Sequence, residues 1–396
     1  MSLAYIIRYN EIGLKGKNRS FFEDTLIKNI KYNLRTIQDS VEIKKTRGRI
    51  LLLGCLESSV EGLNSKLSKI AGIHSFSYGE VIERDKQVWN EKACLLFEKM
   101  WSGHDVKFRV SCTRSDKSYP EKSSDINAQI GAALIGKFGN EKLQVSLKDA
   151  QIDICLEINQ DCCVIYSGSH QGLGGLPVST AGRVLCLLSG GLDSPVAAFN
   201  MIRRGCDVHY IFFENKVFLG RAAFDKVERL AQKLSHYQNK VYLNVIPFTD
   251  IQVAIRDNCS PKNRVILYRR FMYRLAEKVC QKHQMQGLVT GENLGQVASQ
   301  TLENLAAVDC VVNSVVYRPL ISFDKLEIME TARNIDTYDI SIEDAPDCCS
   351  VFMPKKPATR AVVTQLEKDE SRLDVTQLEK DALENYECIP IEPNTI

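Results

Sequence analysis

Six consecutive residues carry the clearest chemistry in the chain: Ser189, Gly190, Gly191, Leu192, Asp193 and Ser194, read as SGGLDS and followed at once by Pro195. They come directly after an uncharged run, residues 184–188, of the kind shown by a strand buried on both faces. Ser194 suits an N-cap and Pro195 the first helical position. The chain is therefore expected to leave a strand, bend through two glycines and enter a helix that runs to about residue 204 and stops at Gly205. A glycine turn at a helix N-terminus offers unpaired backbone N–H groups and the positive end of the helix dipole, which together suit a phosphate group. The lysine-containing GxxxxGK[ST] loop is absent; residues 13–18 (GLKGKN) come nearest but lack the spacing and the Ser/Thr. A glycine turn that only lets strand and helix pack closely is the competing reading.

These residues need a frame that presents them. From residue 184 onward, predicted strands at 207–214, 241–247 and 288–290 alternate with predicted helices at 221–236, 264–284 and 325–334. Such alternation predicts an α/β domain with a doubly wound, mostly parallel sheet, which binds ligands outside the carboxyl ends of its strands. Phe212 and Phe213 close the second strand and Gly291 follows a later one, so all three belong at that edge. SGGxDS resembles the PP-loop of the ATP pyrophosphatases, which hold the pyrophosphate half of ATP and transfer AMP. On this frame adenine is expected near the apolar Leu188 and Phe213, with the triphosphate on the turn at 189–194. Asp193, a carboxylate beside so much negative charge, then implies a cation between them, and Mg²⁺ is the expected one.

The chain has 396 residues, too long for one ordinary core, and the composition of a soluble globular protein. No run approaches 18 apolar residues and no signal-peptide pattern opens the sequence, which predicts a cytoplasmic protein. Its 14 cysteines are then mostly small buried hydrophobes, with Cys186 in the first predicted strand as the model case. Charge is unevenly spread: residues 1–60 hold 11 Lys and Arg against 6 Asp and Glu, whereas residues 343–396 hold 6 against 12. Lys15, Lys17 and Arg19 follow strand-like residues 4–9, and Lys44, Lys45, Arg47 and Arg49 lead into the apolar residues 50–53. Such clusters either neutralise nucleic-acid phosphates or form a solvated face, and charge alone does not choose. Residues 1–75 read as strand, helix, strand, strand, helix, an α+β sandwich with helices on one face of an antiparallel sheet. Residues 76–170 repeat an α/β pattern. Within it the loop CTRSDKSYPEKSSDIN sets Arg114, Lys117 and Lys122 around Tyr119, which suits RNA and equally suits an ordinary polar loop.

RYNEIGLKGKNR, RSDKSYPEKSSDINAQIGAAL and HQGLGGLPVSTAGRVLCLLSGGLDSPVA, in this order, resemble the bacterial tRNA 4-thiouridine synthetases, tRNA sulfurtransferases that also serve thiamine synthesis. The likeness runs from about residue 5 to about residue 360. It implies an N-terminal ferredoxin-like domain at 1–75, a THUMP RNA-binding domain at 76–171 and a PP-loop adenylating domain at 172–360. An acidic C-terminal tail, 361–396, is left over; VTQLEKD occurs in it twice, and it is expected as two short polar helical turns or partly disordered chain. By register, the family's ATP contacts fall on Leu187, Leu188, Ser189, Gly190, Gly191, Ser194, Phe212, Phe213, Arg269, Gly291 and Gln300. Lys325 in FDKLEI stands where the family has an adenylation lysine, a point charge able to neutralise the phosphoryl group. Lys15, Lys17, Arg19, Arg114 and Lys117 become the expected tRNA contacts.

The implied reaction adenylates a tRNA uridine, at position eight in the family, and replaces its O4 with sulfur to give 4-thiouridine. Carrying that sulfur needs a thiolate. Cys348 and Cys349 sit in DAPDCCSVFMPKKP, a polar stretch flanked by prolines, whereas Cys162 and Cys163 in CCVIYSG read as core. The family pattern places the persulfide on Cys349, with Cys348, Cys206 and Cys259 as candidate resolving thiols. Many relatives first receive sulfur on a C-terminal rhodanese domain. About 45 residues follow Cys349, too few for that core, so direct delivery by a cysteine desulfurase is expected. An iron–sulfur centre would call for a CxxC, which the sequence lacks. The resemblance also implies a homodimer. Two other classes stay open: a PP-loop synthetase acting on a small molecule, and a non-catalytic THUMP RNA-binding protein.

Overall fold

The computed structural model describes residues 3–37, 41–46, 48–160, 162–344, 348 and 351–392. Arg47 and Cys349, both singled out above, lie outside the described residues. Two compact units divide the chain between Pro177 and Val178 rather than at the expected 171/172.

The first unit is built on one nine-stranded sheet: β1 (Leu3–Arg8), β2 (Glu42–Thr46), β3 (Arg49–Cys55), β4 (Ser75–Ile82), β5 (Val106–Arg114), β6 (Leu143–Val145), β7 (Ile152–Ile158), β8 (Cys163–Ser167) and β9 (His170–Gln171). Its order is β2-β3-β1-β4-β8-β7-β5-β6, with β9 also on β4. The helices Arg19–Leu34 and Val60–Leu67 cover Tyr5, Ile7 and Leu52 of its first half, and Lys86–Met100 and Ser123–Phe138 cover Phe108, Ile154 and Leu156 of its second. Alternate residues of each strand thus meet a helix layer, as the two-residue period of a strand requires. The expected break at 75/76 falls at the start of a shared strand, because β4 pairs with β1 through residues 75–80 and with β8 through 79–82. Gly79 permits that second pairing: a Cβ there would stand 2.1 Å from the Ile165 carbonyl oxygen.

The second unit carries a six-stranded sheet in the order β14-β13-β10-β11-β12-β15, from β10 (Arg183–Leu187), β11 (Asp207–Glu214), β12 (Val241–Pro247), β13 (Leu288–Val289), β14 (Val316–Tyr317) and β15 (Glu387–Ile391). All pairs are parallel except β12 with β15. The chain winds from β10 outward through β11 and β12, then returns to the other side of β10 as β13. This reversal creates a crevice beyond the carboxyl ends of β10 and β13. Along β11, Ile211 and Phe213 join a core formed with the helix Arg264–Lys282, while Phe212 meets Phe224 of the helix Ala222–Ser235.

The segment expected as an acidic tail is part of this fold. Its two VTQLEKD copies form the helices Val363–Glu370 and Val375–Glu384, and β15 closes the sheet edge. Leu366 is fully buried, and the Glu370 carboxylate accepts from Arg270 at 3.0 and 2.8 Å and from Arg274 at 2.7 Å. Glu379 takes Lys278 at 2.6 Å. The acidity of this segment is the counter-charge of the basic helix Arg264–Lys282, a pairing about 100 residues long-range and hence invisible to local pattern.

Candidate active site

At the end of β10 the chain turns through Ser189–Gly191 and enters a helix, Asp193–Arg203. Leu192 occupies the N-cap position, so Ser194 is not the cap expected and Pro195 is not the first helical residue. The Ser194 hydroxyl instead points back into the turn, accepting the Ser189 N–H at 2.9 Å and lying 3.2 Å from Ser189 Oγ. Ser189 Oγ in turn accepts the Gly191 N–H at 3.3 Å. The serines lace the turn shut before any ligand arrives. The far end of the helix follows expectation: Gly205, at φ +88°, donates to Ile202 O at 2.9 Å and Cys206 donates to Met201 O at 3.2 Å. Across the crevice, Gly291 packs so closely on the start of this helix that a Cβ would stand 2.6 Å from Ser194 N.

A cavity of about 350 Å³ opens at these strand ends. It is lined by Leu187, Leu188, Ser189, Gly191, Ser194, Phe212, Phe213, Arg269, Gly291 and Gln300, ten of the residues expected to hold nucleotide, together with Asp193. Gly190 faces a second cavity of about 460 Å³ behind the turn, with Lys226 and Ser341. Lys325 opens the helix Lys325–Asn334, fixed by an Asp324–Glu327 capping box, and its Nζ lies 2.7 Å from Asp193 Oδ1. With its amide oriented to satisfy both neighbours, Gln296 donates to Asp193 Oδ2 at 3.2 Å and accepts from Lys325 Nζ at 3.1 Å. Buried Gln300 Oε1 has no hydrogen-bond partner among the described residues.

Arg269 is held in place by a residue the sequence reading missed. Glu292, 2 % exposed, pairs with Arg269, accepts from Arg318 at 2.6 Å, from Tyr273 at 2.8 Å and from Thr290 at 3.0 Å. Burial pushes its pKa up, but Arg269 and Arg318 outweigh that and the net shift is downward. Its only local signal is an acidic residue directly after the strand-ending glycine, in GENLGQ.

Among the thiols, Cys348 is buried and lines the cavity; its neighbour Cys349 lies outside the described residues. Cys206 and Cys259 do not line it: Cys206 follows the C-terminus of the Asp193–Arg203 helix, and Cys259 faces Asp369 O at 3.5 Å with its pKa pushed up by burial to about 11. Cys163 is fully buried in β8. In the first unit, Arg19 bonds Glu23 at 2.7 Å and Tyr9 at 2.6 Å, and Arg114 donates to the carbonyls of Tyr119 and Glu121 at 3.0 and 2.7 Å. Arg19 therefore braces the start of its own helix, and Arg114 the loop that follows it. Lys15 stands 3.7 Å from Glu11, whereas Lys17 and Lys117 are exposed and in no ion pair among the described residues.

A switch-point strand ending in a serine-laced glycine turn, with a carboxylate and a lysine beside it, defines a PP-loop nucleotide-binding α/β protein. The model of the thiamine biosynthesis protein (ThiI) matches residues 179–375, that of the ThiI ferredoxin-like domain 4–77 and that of the THUMP domain 86–167. A probable tRNA sulfurtransferase of Thermoanaerobacter pseudethanolicus is 39% identical over 93% of this chain and 94% of its own length; one of Moorella thermoacetica is 38% identical over 99% of each. The crystal structure of a 4-thiouridine synthetase–RNA complex with bound ATP superposes with a TM-score of 0.90 at 34% identity, covering 99% of this chain and 100% of that one. The chain belongs to the tRNA sulfurtransferase family and is an enzyme of that class. No helix among the described residues is long and apolar enough to cross a membrane.

Proposed function

We propose that this chain uses ATP to convert a tRNA uridine, the one at position eight, into 4-thiouridine. The observation that carries this reading is that one cavity wall holds both the glycine turn with Asp193 and the cysteine-pair loop, through Cys348. ATP lies with its phosphates on the turn, and Asp193, the carboxylate at the turn, would hold a Mg²⁺, which would offset phosphate charge there. Uridine O4 attacks the α-phosphorus and pyrophosphate leaves. Backbone N–H groups of the turn and Lys325 stabilise the charge that develops. The terminal sulfur of a persulfide on Cys349 then attacks C4 and expels AMP. A second thiol, from Cys348 or an external reductant, attacks the cysteine sulfur; the C–S bond to the base stays, the S–S bond breaks, and a disulfide forms in the protein or with the reductant. A thiol reductant then reduces that disulfide, returning Cys349 to the thiol, and a cysteine desulfurase transfers its persulfide sulfur to that thiol to restore the persulfide. The basic first unit contributes the tRNA grip.

The discriminating measurement is pyrophosphate release from ATP. Dependence on added unmodified tRNA is expected; dependence on a free amino acid or nucleotide instead would point to a small-molecule synthetase, and no release to a binding module. Formation of 4-thiouridine by Cys349→Ala with a cysteine desulfurase and free cysteine would remove Cys349 from the mechanism.

A further inference from the structure

We infer that Gln252, braced by Asn215, is a positioning residue that sets Cys348 against the nucleotide cavity for sulfur transfer. The inference rests on the reading of that pair given above. Gln252 belongs to the helix Thr249–Asn258, is fully buried and does not line the cavity. Its Nε2 donates to the Cys348 carbonyl at 2.9 Å, and its Oε1 lies 3.7 Å from Cys348 Sγ, within reach of the thiol proton. The same Oε1 accepts Asn215 Nδ2 at 2.5 Å. Asn215, 2 % exposed, is fixed in turn, its Oδ1 accepting the Phe218 N–H and the Thr249 hydroxyl at 3.1 Å each.

A carboxamide suits this place because one planar group gives a donor to the backbone carbonyl and an acceptor to the thiol at once. A buried apolar substitute would remove the side-chain donor to the Cys348 carbonyl and leave the Asn215 amide without its acceptor. Earlier in the chain, Lys226 Nζ donates to the carbonyls of Ser341 and Glu343 at 3.0 and 2.7 Å, and Arg229 Nη1 reaches Glu343 Oε1 at 2.8 Å. Ser341 Oγ lies 3.4 Å from the Gly191 carbonyl in the phosphate turn. Gln252 contacts the cysteine itself, through both its carbonyl and its thiol.

The test compares Gln252→Leu, Gln252→Glu and Asn215→Asp with the parent chain, using tRNA-dependent pyrophosphate release, 4-thiouridine formation with a cysteine desulfurase and free cysteine, and iodoacetamide labelling of Cys348 against pH. Gln252→Leu is expected to keep pyrophosphate release within about three-fold while 4-thiouridine formation falls at least about ten-fold. Gln252→Glu places a carboxylate beside the thiol and is expected to move the labelling midpoint of Cys348 upward, which a merely structural role would not do. Asn215→Asp keeps both acceptor contacts and loses the donor to Gln252, so it gives a milder form of the same split should Gln252→Leu fail to fold. Equal loss of both activities in the folded variants, or unchanged thiolation, overturns the inference. Should a Cys348→Ala/Cys349→Ala double variant still thiolate tRNA, the reading of the pair itself falls; a dead double variant beside a fully active Gln252→Leu sinks the positioning role alone.

Discussion

Lys325 Nζ lies 2.7 Å from Asp193 Oδ1, so the first residue of one helix is joined to the first residue of another beside the phosphate turn. Both side chains are partly exposed, 43% and 24%, and a pair of that kind contributes only about 0–1 kcal/mol to stability. In the proposed reaction its value is chemical: each charge would have a separate task once nucleotide is bound, Asp193 toward a cation and Lys325 toward the phosphoryl group. Asp193→Asn and Lys325→Met are therefore expected to lower tRNA-dependent pyrophosphate release by about 100-fold or more, with Tm almost unchanged. Thermal shift and pyrophosphate assays on the same preparations decide it. Normal release, or a loss that tracks a large fall in Tm, would contradict the assignment.

Gly291 and Gly190 flank the same turn but differ in what a methyl group would meet. At Gly291 the Cβ would stand 2.6 Å from the Ser194 nitrogen and 2.7 Å from the Asp193 carbonyl carbon, backbone that cannot move without displacing the turn. At Gly190 it would meet the Lys226 side chain at 3.1 Å, which is held at its Nζ by two carbonyls but is a side chain and needs to shift by only a few tenths of an ångström. Gly291→Ala is expected to cost about 1–3 kcal/mol and to abolish ATP binding by isothermal titration. Gly190→Ala is expected to weaken binding less, and the reverse order would refute this account of the crevice.

Glu292 ties Arg269 and Arg318 together inside the fold, and its folded pKa lies below the ordinary 4.5. A lowered carboxylate pKa means that its stabilisation is fully present above about pH 4.5 and is lost as pH falls through the lower folded value. Glu292→Gln leaves the two guanidinium groups short of a counter-charge and is expected to cost about 3 kcal/mol at neutral pH. The variant should also lose part of the acid-side slope of Tm against pH that the parent shows. Weaker ATP binding should accompany this, since Arg269 loses its fixed geometry. An unaltered acid slope would show that another carboxylate governs it.

What was legible in the sequence was local. The uncharged run before SGGLDS, the glycine at 205 and the alternation of strands with helices were read without knowledge of any contact, because strand period, turn chemistry and helix stops act over a few residues. Glu292 was not legible, since the groups that define it, Arg269, Tyr273 and Arg318, come from other elements. The same holds for Glu370, whose partners Arg270 and Arg274 turn an acidic stretch into a docked helix. Ser194 was misplaced for a different reason: Ser-Pro is a common helix entry, but here the serine hydroxyl is used inside the turn and the helix begins two residues earlier. The shared strand β4 escaped notice because pairing partners on its two sides lie some 70 and 85 residues away in sequence, at β1 and at β8.

Basic residues of the first unit separate by what already holds them. Arg19 and Arg114 are engaged with Glu23, Tyr9 and loop carbonyls, so Arg19→Ala and Arg114→Ala should disturb local structure and register mainly in Tm. Lys17 and Lys117 are exposed and in no ion pair among the described residues, which leaves their charge available to a phosphate. Each phosphate contact contributes about 0.9 to the slope of log affinity against log salt on duplex nucleic acid, and about 0.7 on single strands. Lys17→Ala and Lys117→Ala are accordingly expected to weaken tRNA binding, to flatten the salt slope by about one unit each, and to leave Tm unchanged. Filter binding of unmodified tRNA across a salt series, run beside the arginine variants, measures both. A steep slope that neither lysine alters would move the tRNA grip away from the GLKGKN and RSDKSYPEK segments.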